Sequence, residues 1–214
     1  MIYYSAHATG TRTRNAIRAA GLGMLGSAAY RWSDPEWAPL CAGGLGWGID
    51  NGAWSAYRAG TGFDGERFRH VALTCGPVDW IVCPDVVMDW PGTVALRSEW
   101  LGWLLSETPH CVLLPVQNGA ALADLSGLLN DRVGVFVGGD TPWKLHTMRQ
   151  WADLAHRHGA HCHVGRVNTA RRVRLCRAAG ADSVDGSGPA QFSDTAALVA
   201  AGLTGPIQIG LPFT

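Results

Sequence analysis

Alternation of two patterns constrains this chain more than any other feature. Short apolar runs of β character recur along it, separated by stretches with helical patterning, which is the signature of a parallel α/β sheet. The runs that read as strands are Ile2–Ala6, Trp47–Asn51, Asp79–Asp85, Cys111–Gln117, Val133–Gly139, His161–Val167, Ser183–Gly186 and Pro206–Leu211. Helical patterning covers Arg12–Ala20, Gly65–Thr74, Thr93–Ser106, Ala121–Leu129, Pro142–His158, Ala170–Ala179 and Asp194–Ala201. Several helix starts are marked. Asp140-Thr141-Pro142 supplies capping side chains and an early proline, and Asn168-Thr169 and Ser193-Asp194 supply caps for two more. Gly159 and Gly180 fall where helix C-caps are expected.

Eight such strands either close into a barrel or lie open as a doubly wound sheet. The open form usually carries a glycine-rich dinucleotide loop after its first strand, and Ala6-His7-Ala8-Thr9-Gly10 does not match GxGxxG. The expected fold is therefore α/β, a compact single-domain (β/α)8 TIM barrel over residues 1–214. The segment Gly21–Gly46, rich in Gly, Ala and Trp, reads as an extended first crossover that folds over the barrel mouth.

Composition removes several classes. At 47% hydrophobic and 16% charged residues the chain can bury a core, which excludes disorder. No uncharged apolar run approaches the roughly 18 residues that span a bilayer, and the N-terminus lacks the order of a signal peptide. A cytosolic protein with no membrane partner is expected. The six cysteines never approach CxxC spacing, so they read as small buried hydrophobes and no metal site is expected. The formal net charge is zero. Between Asp153 and Asp182, however, there is no acid, while Arg157, Arg166, Arg171, Arg172, Arg174 and Arg177 all fall there. That stretch is either a solvated helix face or a local basic face that holds phosphates.

In a barrel of this kind catalytic groups project from the C-terminal strand ends. Those ends carry Asp50-Asn51-Gly52, Pro84-Asp85, Gln117-Asn118-Gly119, Gly138-Gly139-Asp140, His163 with Gly165-Arg166, Asp185-Gly186-Ser187, and Gly210. One strand-end aspartate merely caps the next helix. Asp50, Asp85 and Asp185 on one rim with Gln117 ask for a chemical reason, because unpaired carboxylates are costly to bury. Schiff-base catalysis is disfavoured because the only lysine, Lys144, lies in a helix. His161 and His163 share a strand face but lack an obvious third ligand. There is no GxSxG or HExxH motif. Carboxylate chemistry remains, of which two-carboxylate glycosyl transfer is the standard form.

The run Gly48-Ile49-Asp50-Asn51-Gly52-Ala53-Trp54 resembles the D-S-G-G-[FY] box of tRNA-guanine transglycosylases. Asp79–Asp85 resembles their strand ending in a guanine-reading aspartate. Pro115-Val116-Gln117-Asn118-Gly119 resembles their V-Q-G-G box, and Val137-Gly138-Gly139 their I-G-G box. His163-Val164-Gly165-Arg166-Val167 falls where the family has M-G-V-G, and Ser183-Val184-Asp185-Gly186 falls at the nucleophile. The boxes keep their order over roughly residues 45–190. Two departures stand out. The family's zinc subdomain is missing, since no Cys or His follows Cys176, and the chain is short. The shortening, Cys83-Pro84-Asp85-Val86-Val87 and the stretch from His163 to Ser187 are more similar to the DNA 7-deazaguanine transglycosylases of phages and bacteria, the DpdA group.

By that resemblance Asp185 attacks C1′ of a deoxyguanosine in DNA, and a 7-deazaguanine base then displaces it. Asp50 moves the proton at the purine nitrogen. Asp85, Gln117, Gly138, Gly139, His163 and Val164 bind the base, with Asp85 on the N1–H and amine edge and Gln117 and the Gly139 N–H on the O6 side. Arg166, Arg171 and Arg172 grip phosphates. No cofactor is implied. The target base must leave the helical stack, and among ten tryptophans Trp32, Trp37, Trp47 and Trp54 lie near the first crossover, where stacking or packing would place them. Zero net charge implies weak DNA binding alone and so a loading partner protein. The rival readings are a tRNA enzyme, a small-molecule barrel enzyme with a phosphate site at Gly186-Ser187-Gly188 and Gly210, and a catalytically dead nucleic-acid-binding subunit.

Overall fold

The computed structural model describes residues 1–29 and 46–206. Its strands are β1 (Ile2–Ala6), β2 (Gly23–Ser27), β3 (Trp47–Asp50), β4 (Trp80–Val82), β5 (Cys111–Val116), β6 (Val133–Val137), β7 (Cys162–Val164) and β8 (Ser183–Gly186). Each pairs in parallel with the next, and β1 pairs with β8, so the sheet closes as an eight-stranded barrel. The closing register sets Tyr4 opposite Asp185 and Ser5 opposite Gly186. The described helices are α1 (Thr11–Ala19), α2 (Ala53–Ala59), α3 (Gly65–Thr74), α4 (Trp90–Glu107), α5 (Thr141–Arg157), α6 (Ala170–Ala178), α7 (Gly188–Gln191) and α8 (Thr195–Thr204).

The expected (β/α)8 barrel is therefore the observed one, with a strand that was not expected. Its closure uses Gly23–Ser27, which lies inside the stretch expected to be crossover, while the expectation had placed a strand at Pro206–Leu211. Of that expected strand all but Pro206 lies outside the described residues, as does Gly210. Gly23-Met24-Leu25-Gly26-Ser27 contains two glycines and no β-branched residue, so its local propensity is that of a loop. It becomes a strand because β1 and β3 satisfy its backbone on both sides. Residues 30–45 of the crossover, with Trp32, Trp37 and Cys41, also lie outside the described residues.

The expected helix Ala121–Leu129 is only a single 3-10 turn, Leu122–Asp124. Its apolar spacing reports packing rather than helix, since Leu125 and Leu129 are buried from an irregular backbone that Ser126 and Gly127 do not encourage to wind. Elsewhere the caps behave as their chemistry requires. The Asp140 carboxylate accepts from the Trp143 N–H, Thr169 Oγ1 from the Arg172 N–H, and Asp89 from the Gly92 N–H.

Two apolar layers position the site. Between sheet and helices lies a core that includes Ile17, Phe68, Leu104, Met148 and Trp151. Inside the barrel sits a smaller cluster of Tyr4, Trp80, Val82 and Leu113, with Phe136 and Leu25 against it. His163 joins this inner layer, stacked on Phe136 at 4.9 Å and tilted against Trp80 at 4.6 Å. These rings plug the barrel and form the floor beneath its C-terminal mouth. Trp80 fits only because residue 48 is glycine, as a Cβ there would lie 2.4 Å from the indole. Gly48→Ala is therefore expected to lower stability by about 1–3 kcal/mol through overpacking. Gly102→Ala, on an exposed turn of α4 with open space around it, should raise stability by about 0.5–1 kcal/mol. Urea unfolding of the two variants against wild type measures both.

Candidate active site

At the C-terminal ends of the strands a cavity of about 630 Å³ opens above this floor, within the usual range for small-molecule sites. Asp50, Asp85 and Asp185 all line it, together with Gln117, Gly138 and Arg166. Each carboxylate is held differently. Asp50 ends β3, and its Oδ2 accepts from the Gly52 N–H at 3.0 Å and from Ser27 Oγ at 3.4 Å. Gly52 adopts a left-handed conformation (φ 87°) that starts α2 immediately, which turns its N–H back toward Asp50. Burial, then the charges of Asp185 and Asp85, push the Asp50 carboxyl up to about 7.

Asp85 follows β4 and is gripped by two amides. Asn51 Nδ2 donates to Oδ1 at 2.8 Å, and Gln117 Nε2 donates to Oδ2 at 2.5 Å. Asn51 is itself fixed, donating to the Cys83 carbonyl and accepting from the Ala53 N–H. Gln117 is fixed by the Gly139 N–H, which donates to its Oε1 at 2.8 Å. Burial raises the Asp85 carboxyl above the ordinary carboxylate value, while the Asn51 and Gln117 hydrogen bonds and the nearby Arg166 act in the opposite direction.

Asp185 lies on β8, only 7% exposed. Its Oδ1 accepts from the Arg166 N–H at 3.2 Å and is 2.9 Å from His163 Nε2. Arg166 has a left-handed backbone (φ 60°), a conformation that costs a side-chain-bearing residue strain and that aims its N–H at the carboxylate. Its guanidinium donates to the Gly139 carbonyl and lies 4.4 Å above the ring of Trp54, which is itself stacked on Tyr57 at the cavity mouth. The preceding carbonyl, of Gly165, accepts from Lys144 Nζ. That buried lysine, lowered to about 8 by burial and then by Arg166, stands behind β7 on α5 and is not among the residues lining the cavity.

The structure thus brings six of the expected site residues together around one cavity: Asp50, Asp85, Gln117, Gly138, Arg166 and Asp185. Others lie elsewhere. The Gly139 N–H, expected on the O6 side of a base, is engaged by Gln117. His163 is fully buried below Asp185 and reaches the cavity only through it, and Val164 packs into the layer between sheet and helices. Arg171 and Arg172 sit in the first turn of α6 outside the cavity, the first exposed and the second half-buried. Sequence reasoning assigned no role to Asn51 or Ser27. Asn51 was visible beside Asp50, whereas Ser27 belongs to the strand whose composition hid it. Asp140 serves as a helix cap and partner of Asn118. Among the described residues no three His, Cys, Asp or Glu side chains group as metal ligands, and no helix is long and apolar enough to cross a membrane.

Fold and site together define a (β/α)8 barrel with a three-carboxylate cavity at the C-terminal mouth of its strands. The chain matches no protein-family model, and no curated protein matches it in sequence.

The raised Asp50 carboxyl has a stability consequence. Its stabilising contribution is complete below the ordinary value of 3.8 and is lost as pH rises through about 7, where the fold must hold a buried charge. Asp50→Asn should therefore flatten the fall in stability between pH 4 and 7. At pH 8 it should raise stability by about 2 kcal/mol, allowing for the cavity's opening to water, or roughly 4–8 °C in Tm. Thermal unfolding across that pH range is the measurement.

Proposed function

We propose that this protein exchanges guanine in DNA for a 7-deazaguanine base through a covalent aspartyl-glycosyl intermediate. The observation that carries the reading is the meeting of Asp50, Asp85 and Asp185 around a single cavity, each with a distinct set of hydrogen-bond partners. A pair of carboxylates in different electrostatic states is what glycosyl transfer requires, one to attack and one to carry the proton.

In this reading the ionised Asp185 carboxylate forms a bond to C1′ as the C1′–N9 bond of guanine breaks. Asp50, whose carboxyl is pushed up to about 7, gives its proton to the departing purine nitrogen. The incoming base returns a proton to Asp50 as its own nitrogen attacks C1′, and Asp185 leaves as a carboxylate. Two displacements at C1′ retain its configuration. Asp85 selects the base. With Asn51 and Gln117 orienting both of its oxygens, it keeps lone pairs for the N1–H and amine of guanine, two donors that adenine does not present together on that edge. Gln117 keeps a second N–H for O6. Trp54, 38% exposed under the Arg166 guanidinium at the mouth, offers a stacking surface to an extruded base. The phosphate-site alternative after β8 is less well supported, because the Gly188 N–H already donates to Asn168 Oδ1 at 3.0 Å.

The test is incorporation of labelled guanine into guanine-containing DNA, single-stranded and duplex, with tRNA in a parallel reaction. Label should enter DNA with wild type, fall to background with Asp185→Ala, and fall by about 10²–10⁴-fold with Asp50→Asn. Label entering tRNA alone would overturn DNA as substrate. Incorporation that survives Asp185→Ala, or none into either nucleic acid, would overturn the reaction.

A further inference from the structure

Beneath Asp185 a line of polar side chains runs down through the apolar interior of the barrel. His161 and His163 are two residues apart along and just before β7, and Ser183 and Asp185 are two apart on β8, so each pair shares a face. The strand register sets His163 beside Ser183. His161 Nε2 is 2.7 Å from Ser183 Oγ, Ser183 Oγ is 2.7 Å from His163 Nδ1, and His163 Nε2 is 2.9 Å from Asp185 Oδ1. Ser183 and His163 are 0% exposed, and the His163 ring is walled by Tyr4, Trp80 and Phe136. Four connected polar groups in so apolar a place are costly unless every donor meets an acceptor.

That requirement sets the direction of the whole chain. An ionised carboxylate only accepts, so His163 Nε2 must carry its hydrogen. A neutral imidazole has one N–H, so Nδ1 is an acceptor and Ser183 must donate to it. A hydroxyl has one hydrogen, so Ser183 Oγ must in turn accept from His161 Nε2–H. Every link points toward Asp185. The surroundings favour a neutral His161 ring. Burial, then His163, lowers His161 to about 4, with Asp182, Asp79 and His156 as its other charged or titratable neighbours. Around Asp185 the corresponding groups are Tyr3, Asp50, Lys144 and Arg166.

We propose that His161, Ser183 and His163 form a positioning chain for Asp185, one that delivers the His163 N–H to Oδ1 and so selects Oδ2 as the reacting oxygen. The proposal rests on the reading of Asp185 as nucleophile. Two donors, His163 Nε2–H and the Arg166 N–H, occupy Oδ1, and among the described residues none is given to Oδ2. When Oδ2 forms the bond to C1′, Oδ1 becomes the ester carbonyl and keeps both donors. When the C1′–Oδ2 bond breaks, its electron pair returns to a carboxylate that the same two donors already stabilise. His163 and Ser183 never touch the substrate.

Two measurements test the chain. In 15N-histidine NMR of the wild-type protein, the His163 hydrogen should lie on Nε2, with Nδ1 accepting from Ser183. Ser183→Ala should shift the Nδ1 resonance, and Ser183→Thr, which keeps the hydroxyl, should restore it. In base exchange, Ser183→Ala should lower kcat roughly 10–100-fold with KM for the free base within about two-fold of wild type, and Ser183→Thr should recover most of the rate. A purely structural serine would show neither the NMR change nor the kcat-only loss below the melting temperature. Hydrogen on His163 Nδ1 at neutral pH, or wild-type kcat in Ser183→Ala, would overturn the chain. Absence of base exchange in wild type would instead overturn the reaction, and with it the chain's service to a nucleophile, while the spectra still decide the donor order.

Discussion

The hydrogen-bonded seam between β1 and β8 is the interaction on which the rest depends. Parallel strands can form an open sheet, in which the ends of the first and last strands lie far apart. Here Ile2–Ser5 pair with Ser183–Gly186, and that pairing brings the end of β8 round to β1, onto the same rim as β2 and β3. Asp185 and Asp50 then face one cavity although they lie on strands far apart in the chain. The seam also sets Tyr4 across from Asp185, so that an aromatic plug forms directly below the carboxylate.

Closing the barrel concentrates negative charge, and the structure shows how that charge is held. Asp85 is stabilised by neutral amides locked to backbone groups, Asp185 by a main-chain N–H and an imidazole, and Asp50 by the Gly52 N–H and the Ser27 hydroxyl. Burial raises the proton affinity of both Asp50, to about 7, and Asp85. Arg166 lines the cavity together with Arg58, and its left-handed backbone costs local strain so that main chain and side chain both reach into the site. Such a sacrifice of local conformational preference is common where a binding or reacting geometry must be held.

Much of this was legible before any coordinates. The apolar runs at β1, β3, β5, β6 and β8 are strong local signals, and Gly or Asn close after the ends of β3, β5, β6 and β8 marks where the chain turns. Once a barrel was inferred, the aspartates at those ends had to share a rim. What stayed hidden was non-local. Gly23–Ser27 has no strand propensity of its own and owes its conformation to neighbours on both sides. Ala121–Leu129 carries helical spacing, yet its leucines are buried from a turn-rich loop because the crossover from β5 to β6 packs that way.

The amino-acid order alone settled the fold class and the set of strand-end carboxylates, because periodicity, turn residues and helix caps act over a few neighbouring positions. Folding in three dimensions chose which strand completes the barrel and which oxygen of each aspartate is held. It also turned His163 from a residue expected against a ligand into one buried beneath a carboxylate. Those outcomes depend largely on hydrogen bonds and burial between residues distant in the chain, such as His163 with Asp185 and Gln117 with Asp85, which no local pattern encodes.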